Sequence, residues 1–220
     1  MDDLSPTASS PPGTRSLEPL PFAALLPGLI LIVILDVASL MGVIHQASWP
    51  NAAMPWLYAA VPILVLTGWK RGWGVVGIVR QRAILDFGWG LVWGGVWRAG
   101  SLLLNFLVLH FGWLSTVSSD LVMVLVLIPW LEEFFFRGYL GKGLCAHLGR
   151  WQGIILQALL FTFLPAHWAQ GFPHVAGILI FGLLSGWLVE RYQSIWPALG
   201  AHTFANALPT IVVALAPFTR

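Results

Sequence analysis

Apolar residues fall into seven long blocks, at 22–44, 52–69, 84–110, 117–140, 152–169, 174–190 and 195–216, divided by short breaks rich in Gly, Pro or charged residues. A helix needs roughly 20 apolar residues to cross the hydrocarbon core of a bilayer, and the blocks scatter about that length. The pattern predicts an all-α fold: a polytopic integral membrane bundle of about seven transmembrane helices, occupying residues 20–220. The third block is the longest and carries Arg98 near its middle. It reads either as one tilted helix or as a shorter span after an interfacial segment. Residues 1–19 (MDDLSPTASSPPGTRSLEP) have no apolar period and are rich in Ser, Pro and Thr, so they read as a disordered tail. An acidic start and a full-length first block argue against a signal peptide. No internal repeat is visible, which weakens a secondary-transporter reading.

Composition sharpens this picture. Of 220 residues, 58% are hydrophobic and only 9% charged, against roughly 25% charged in a soluble domain. Mean hydropathy is +0.81. A soluble globule and a disordered chain are both excluded by such numbers. A net charge of +2 with no Lys/Arg stripe gives no sign of nucleic acid. The single cysteine, Cys145, allows neither an internal disulfide nor a thiolate metal site. Basic residues set the expected orientation. Lys70, Arg71, Arg80 and Arg82 lie between the second and third blocks, and counting spans puts Arg15, Lys142, Arg150 and Arg191 on the same side. By the positive-inside rule that side is cytoplasmic, with the N-terminus inside and the plasma membrane as the expected location. Many of the 13 Trp residues, among them Trp69, Trp73, Trp113, Trp151 and Trp196, fall near block ends, where indole favours the interface.

Three polar clusters interrupt the apolar blocks, and each needs a reason, since a charge at mid-bilayer costs about 2.5–3.5 kcal/mol on insertion scales. Glu132 and Glu133 precede Arg137; on a helix Glu133 and Arg137 can pair, while Glu132 points about 100° away and lacks that partner. Phe163 and His167 stand one helical turn apart, with Pro165 between them, and so do His202 and Asn206. Singly, such groups can be helix glue. Together, a carboxylate, two imidazoles and a carboxamide on three blocks can converge on one polar pocket.

EE-x-x-x-R, F-x-x-x-H and H-x-x-x-N on successive apolar segments resemble the motifs of the CAAX prenyl protease type II and bacteriocin-processing family, whose members are intramembrane glutamic endopeptidases. The resemblance covers about 120–212 and sets the catalytic core at about 117–216. It implies that Glu132 and His167 activate water, that His202 and Asn206 stabilise the oxyanion, and that Glu133, Arg137 and Phe163 support the site. It also implies no cofactor, and a membrane-associated or transmembrane protein substrate met within the lipid bilayer.

The residues agree with that chemistry independently. Peptide hydrolysis needs a base for water, an acid for the leaving amine and donors facing an oxyanion. No Ser has a His and an acid in a recognisable arrangement, so a covalent route is not expected. Three other readings stay open. Glu132, His167 and His202 form a possible zinc set, although H-E-x-x-H is absent. The chain could be a non-enzymatic immunity or scaffold protein. It could also be a proton-coupled transporter using Asp36 and Arg98, whose simpler reading is a mutual pair. At 1.5 Å per residue, Glu132 lies about 15 Å from Lys142 and His202 about 12 Å from Ser194, which predicts a cavity in the cytoplasmic half; a straight helix from Arg150 would carry His167 deeper, to about 25 Å.

Overall fold

The computed structural model describes residues 18–42, 49–104, 121–164, 167 and 171–215, the backbone alone at 49–53 and 209–215. All seven apolar blocks produce helix, and the described residues contain no strand. We number the helices α1 (Leu26–Leu40, after a 3-10 turn at Phe22–Leu25), α2 (Trp49–Gly68), α3 (Ala83–Leu104), α4 (123–148), α5 (Arg150–Thr162), α6 (Phe172–Tyr192) and α7 (Trp196–Leu215). The fourth is continuous but not uniform: Met123–Leu127 and Glu133–Gly141 are π-helical, Ile128–Glu132 and Lys142–Leu148 α-helical. Of the expected tail over 1–19, residues 1–17 lie outside the described residues. Glu18 is described, and it pairs with Arg71 at 3.0 Å.

The surface is apolar where a soluble protein would be polar. On α1, Ile30, Val33, Ile34, Val37 and Leu40 all point outward at helical spacing. Two stretches, Phe22–Leu40 and Phe172–Tyr192, are long and apolar enough to cross a membrane among the described residues, and Met54–Gly68 is a shorter apolar helix. The other helices fall short of that measure for local reasons. Arg98 and Asp86 dilute α3, the first motif and Lys142 add charge to α4, and α5 stops after 13 residues.

Small residues bring the helices together. Along the seam of α3 and α7, a Cβ at Gly90 would collide with the Pro197 carbonyl, one at Gly94 with Ala201, and one at Gly200 with the Phe87 carbonyl. Close approach of this kind is how helices associate where lipid is as apolar as the side chains. Gln157, fully buried on α5, donates to Gly182 O of α6 at 2.9 Å and holds that pair in register. Tyr139 of α4 donates to Ala24 O in the first turn. One core cluster therefore runs through Ile32, Leu35, Tyr58, Leu131, Phe135 and Phe136.

Basic residues gather at one end. Lys142 at the foot of α4 donates to Gln193 at 2.9 Å, Ile195 N donates to Gly77 O, and Trp196 Nε1 donates to Val79 O at 2.6 Å. The loop carrying Lys70, Arg71, Arg80 and Arg82 thus sits beside Lys142 and Arg191, as the span count expects.

Two outcomes follow from this packing. Gly200→Val is expected to lower stability in detergent by about 1–3 kcal/mol or more, the usual cost of overpacking; unchanged thermal unfolding would show that the seam is looser than drawn. For orientation, Val76 at the centre of the basic loop is wholly buried, so the exposed Gln81 is the better probe. In a Cys145→Ser background, Gln81→Cys is expected to react with a membrane-impermeant thiol reagent only from the cytoplasmic side. Labelling from outside would reverse the orientation.

Candidate active site

The π-helical stretch begins at Glu133, immediately after Glu132. Helices of this kind usually occur as single wide turns and often mark functional sites. Here nine residues keep the wider winding, and every one of them is buried. The wide turn still brings Arg137 Nε within 3.2 Å of Glu133 Oε2, with both side chains fully buried. The contact is ionic rather than a hydrogen bond, because the geometry aligns no guanidinium N–H with that oxygen. Instead the Arg137 guanidinium lies over the Phe161 ring, 4.1 Å from its centroid, a desolvated cation–π contact.

From α7, His202 Nδ1 meets the other oxygen of Glu133 at 2.8 Å. A carboxylate only accepts, so Nδ1 carries the proton. The opposite nitrogen, Nε2, lies 3.8 Å from Glu132 Oε2. In a neutral ring Nε2 is an acceptor, and it donates only as imidazolium. Glu132 is therefore not the partnerless carboxylate that helix geometry alone suggests: the two glutamates share one imidazole. Glu132 keeps 19% of its side chain exposed, whereas Glu133 keeps none.

Glu132, His167, His202 and Asn206 all line one cavity of about 280 Å³, together with Trp97, Arg98, Phe161, His174 and Phe181. Asn206 Nδ2 donates to Val124 O of α4 at 2.9 Å, which anchors α7 across the cavity.

The second motif is arranged differently from its sequence spacing. Phe163 and His167 do not share a helical face, because α5 ends at Thr162 and the chain continues through i→i−3 bonds from Leu164 N to Phe161 O and from His167 N to Leu164 O. Phe163 is 51% exposed and turned away from the cavity. Phe161 takes the place expected for it, its ring 4.8 Å from that of His167 and packed against Arg137. The same ending means that His167 is not carried along a straight helix from Arg150, the condition under which its depth disagreed with that of Glu132 and His202. Pro165 lies outside the described residues. His167 Nδ1 meets Phe161 O at 2.8 Å. A carbonyl accepts, so Nδ1 holds the proton and Nε2 is the basic nitrogen.

Sequence reasoning missed Phe161, Arg98 and His174 as cavity residues. Only Arg98 gave a signal, as an arginine in an apolar block. The simple pairing of Arg98 with Asp36 is not found: Arg98 is on the cavity wall, while Asp36 is on α1, its Oδ1 buried with no hydrogen-bond partner among the described residues. Cys145 lies at the basic end of α4, where burial pushes its thiol up to about 12, too high for a nucleophile at neutral pH. Among the described residues no three His, Cys, Asp or Glu side chains form a group that could hold a metal ion.

Arg137→Ala is expected to destabilise by about 3–5 kcal/mol by stranding a buried carboxylate, with Glu132→Gln costing much less. Equal thermal shifts for the two variants would contradict the dependence of buried Glu133 on Arg137.

Residues 114–208 match the family described as Rce1-like, type II CAAX prenyl endopeptidase. The matched segment takes in all three motifs. No curated protein and no solved structure matches the chain.

Proposed function

We infer the function from the premise that this chain carries, at residues 114–208, a segment of the Rce1-like type II CAAX prenyl endopeptidases, a family of integral membrane proteases. We propose that the chain is a multi-pass intramembrane endopeptidase of glutamic type, using water held in the cavity between α3, α4, α6 and α7. The observation that carries this reading is that Glu132, His167, His202 and Asn206, from three separate parts of the sequence, line that one cavity.

In this mechanism the cavity water gives its proton to Glu132, aided by the basic Nε2 of His167, and the hydroxide attacks the peptide carbonyl carbon. The tetrahedral oxyanion is met by His202, which donates through Nε2 as imidazolium, and by the Asn206 carboxamide. The proton held on Glu132 then passes to the leaving amine as the C–N bond breaks. Glu133 and Arg137 hold His202 and the α4 backbone in place throughout, and no metal takes part. The substrate is a membrane-associated or transmembrane protein reaching the cavity from the bilayer or the cytoplasm. Seven spans with the N-terminus inside, in the plasma membrane, complete the proposal. The basic end of the bundle supports that orientation.

The test is cleavage of membrane-protein substrates by purified protein in liposomes, with substrates found by comparing protein termini in cells carrying wild type or Glu132→Gln. Glu132→Gln and His167→Ala are expected to lose roughly 10²–10⁴-fold in rate, the usual worth of a general acid–base group, while Phe163→Ala loses little. Activity is expected to persist in chelator. Near wild-type turnover by Glu132→Gln would overturn the glutamic mechanism, and chelator-sensitive turnover would replace it with a metal-dependent one.

A further inference from the structure

A second cavity, of about 310 Å³, lies at the basic end of the bundle and shares no lining residue with the first. Cavities that take small ligands begin at roughly 300 Å³. Four parts of the chain build it: Leu20 ahead of α1, Val75 and Val79 between α2 and α3, Lys142 of α4, and Glu190 and Gln193 at the end of α6. Its wall carries one charge of each sign. Lys142 and Glu190 both line it, yet among the described residues they form no ion pair with each other. Gln193 engages both residues instead. Its Oε1 accepts from Lys142 Nζ at 2.9 Å, and its Nε2 donates to the Glu190 carbonyl at 2.9 Å. Its backbone is left-handed, at φ +52°, which glycine adopts freely and other residues adopt at a cost. The Lys142 stem is guided as well, since a Cβ on Gly77 would come within 3.3 Å of its Cδ.

The cavity sits where the helices meet the membrane surface. Trp196 donates from Nε1 to Val79 O, and Trp73 begins the turn that carries Val75, two indoles of the kind that favours the interface. We propose that this cavity binds a phospholipid whose headgroup carries both a phosphate and a primary ammonium, as in phosphatidylethanolamine. The phosphate meets the Lys142 ammonium, which has three donors and gives one to Gln193. The headgroup ammonium donates to the Glu190 carboxylate, and the glycerol and upper acyl chain lie along Leu20, Val75 and Val79. Basic pockets between helices at the cytoplasmic surface capture lipid headgroups, and here Glu190 narrows the choice. A headgroup with a phosphate alone brings a second negative charge beside that carboxylate, and a choline headgroup has no N–H to donate to it. Lys142 directly follows the π-helical stretch Glu133–Gly141, so an occupied site ties the end of that stretch to α6. This inference stands apart from the protease reading and does not require it.

The test is native mass spectrometry of the full chain in detergent, titrated with dioleoyl phosphatidylethanolamine, phosphatidylcholine or phosphatidylglycerol. The wild type is expected to hold one phosphatidylethanolamine roughly tenfold more tightly than either other lipid, about the worth of one hydrogen bond to a charged group. Glu190→Gln is expected to erase that preference. Lys142→Met, which keeps the stem, is expected to weaken phosphatidylethanolamine about tenfold by the same measure. Gln193→Gly, at ease in the left-handed region, is expected to hold or raise the thermal midpoint while losing the preference. Soluble phosphoethanolamine, which lacks the apolar part, is expected to compete only in large excess over the lipid. Competition at equal concentration would assign the site to a soluble zwitterion and overturn the lipid. Equal retention of all three lipids by the wild type would reduce the cavity to ordinary bilayer contact and overturn the proposal. So would a preference that survives unchanged in Glu190→Gln. Should thermal unfolding show that Lys142→Met does not fold, Glu190→Gln decides alone.

Discussion

Glu133 is the fixed point of this protein. Its carboxylate is fully buried and held from two directions, by Arg137 one turn along the same helix and by His202 from α7. Each contact has a separate consequence. The arginine makes it tolerable to bury a charge at all. The histidine contact selects a tautomer and turns Nε2 toward Glu132, so the buried glutamate sets the electrostatics of the more exposed one. Phe161 closes the arrangement by covering Arg137 with its ring face and His167 with its edge.

Packing and chemistry are joined by the same elements. The glycine seam of α3 and α7 sets how closely His202 and Asn206 approach α4, and the Asn206 bond to Val124 O crosses the gap. Phe181 of α6 packs edge-on against His202, 5.4 Å between centroids. Three helices, α4, α6 and its own α7, thus meet at one imidazole. Its position follows from helix spacing rather than from a loop.

The helices were plain in the sequence because their signal is local: runs of apolar residues of spanning length. The Glu133–Arg137 pair was legible for the same reason, as it lies within one turn. What could not be read is what depends on where a helix stops. An F-x-x-x-H spacing implies one face only if the helix continues through it. In this chain α5 ends between Phe161 and Phe163, so the ring that packs on His167 comes from two positions earlier. Glu132's share in His202 was invisible for another reason, since it depends on the rotation of a helix 70 residues away. The convergence of three separated motifs on one cavity was legible from the polar side chains themselves, since a carboxylate, two imidazoles and a carboxamide in apolar blocks each need polar company.

The ending of α5 has a consequence for how that helix can vary. The last carbonyls of any helix lack intrahelical donors, and in an apolar surrounding each such carbonyl has to be satisfied by something nearby. Thr162 Oγ1 covers Ala158 O, and the His167 ring covers Phe161 O. The negative end of the helix dipole therefore rests on an imidazole N–H. Helix terminus and basic residue complete one another. A chain that extended α5 by one turn would bury its carbonyls in its own ladder, withdraw the acceptor that sets the imidazole tautomer, and swing that ring out of the cavity. In most proteins the length of a helix is free to drift among relatives; here thirteen residues is a chemical dimension.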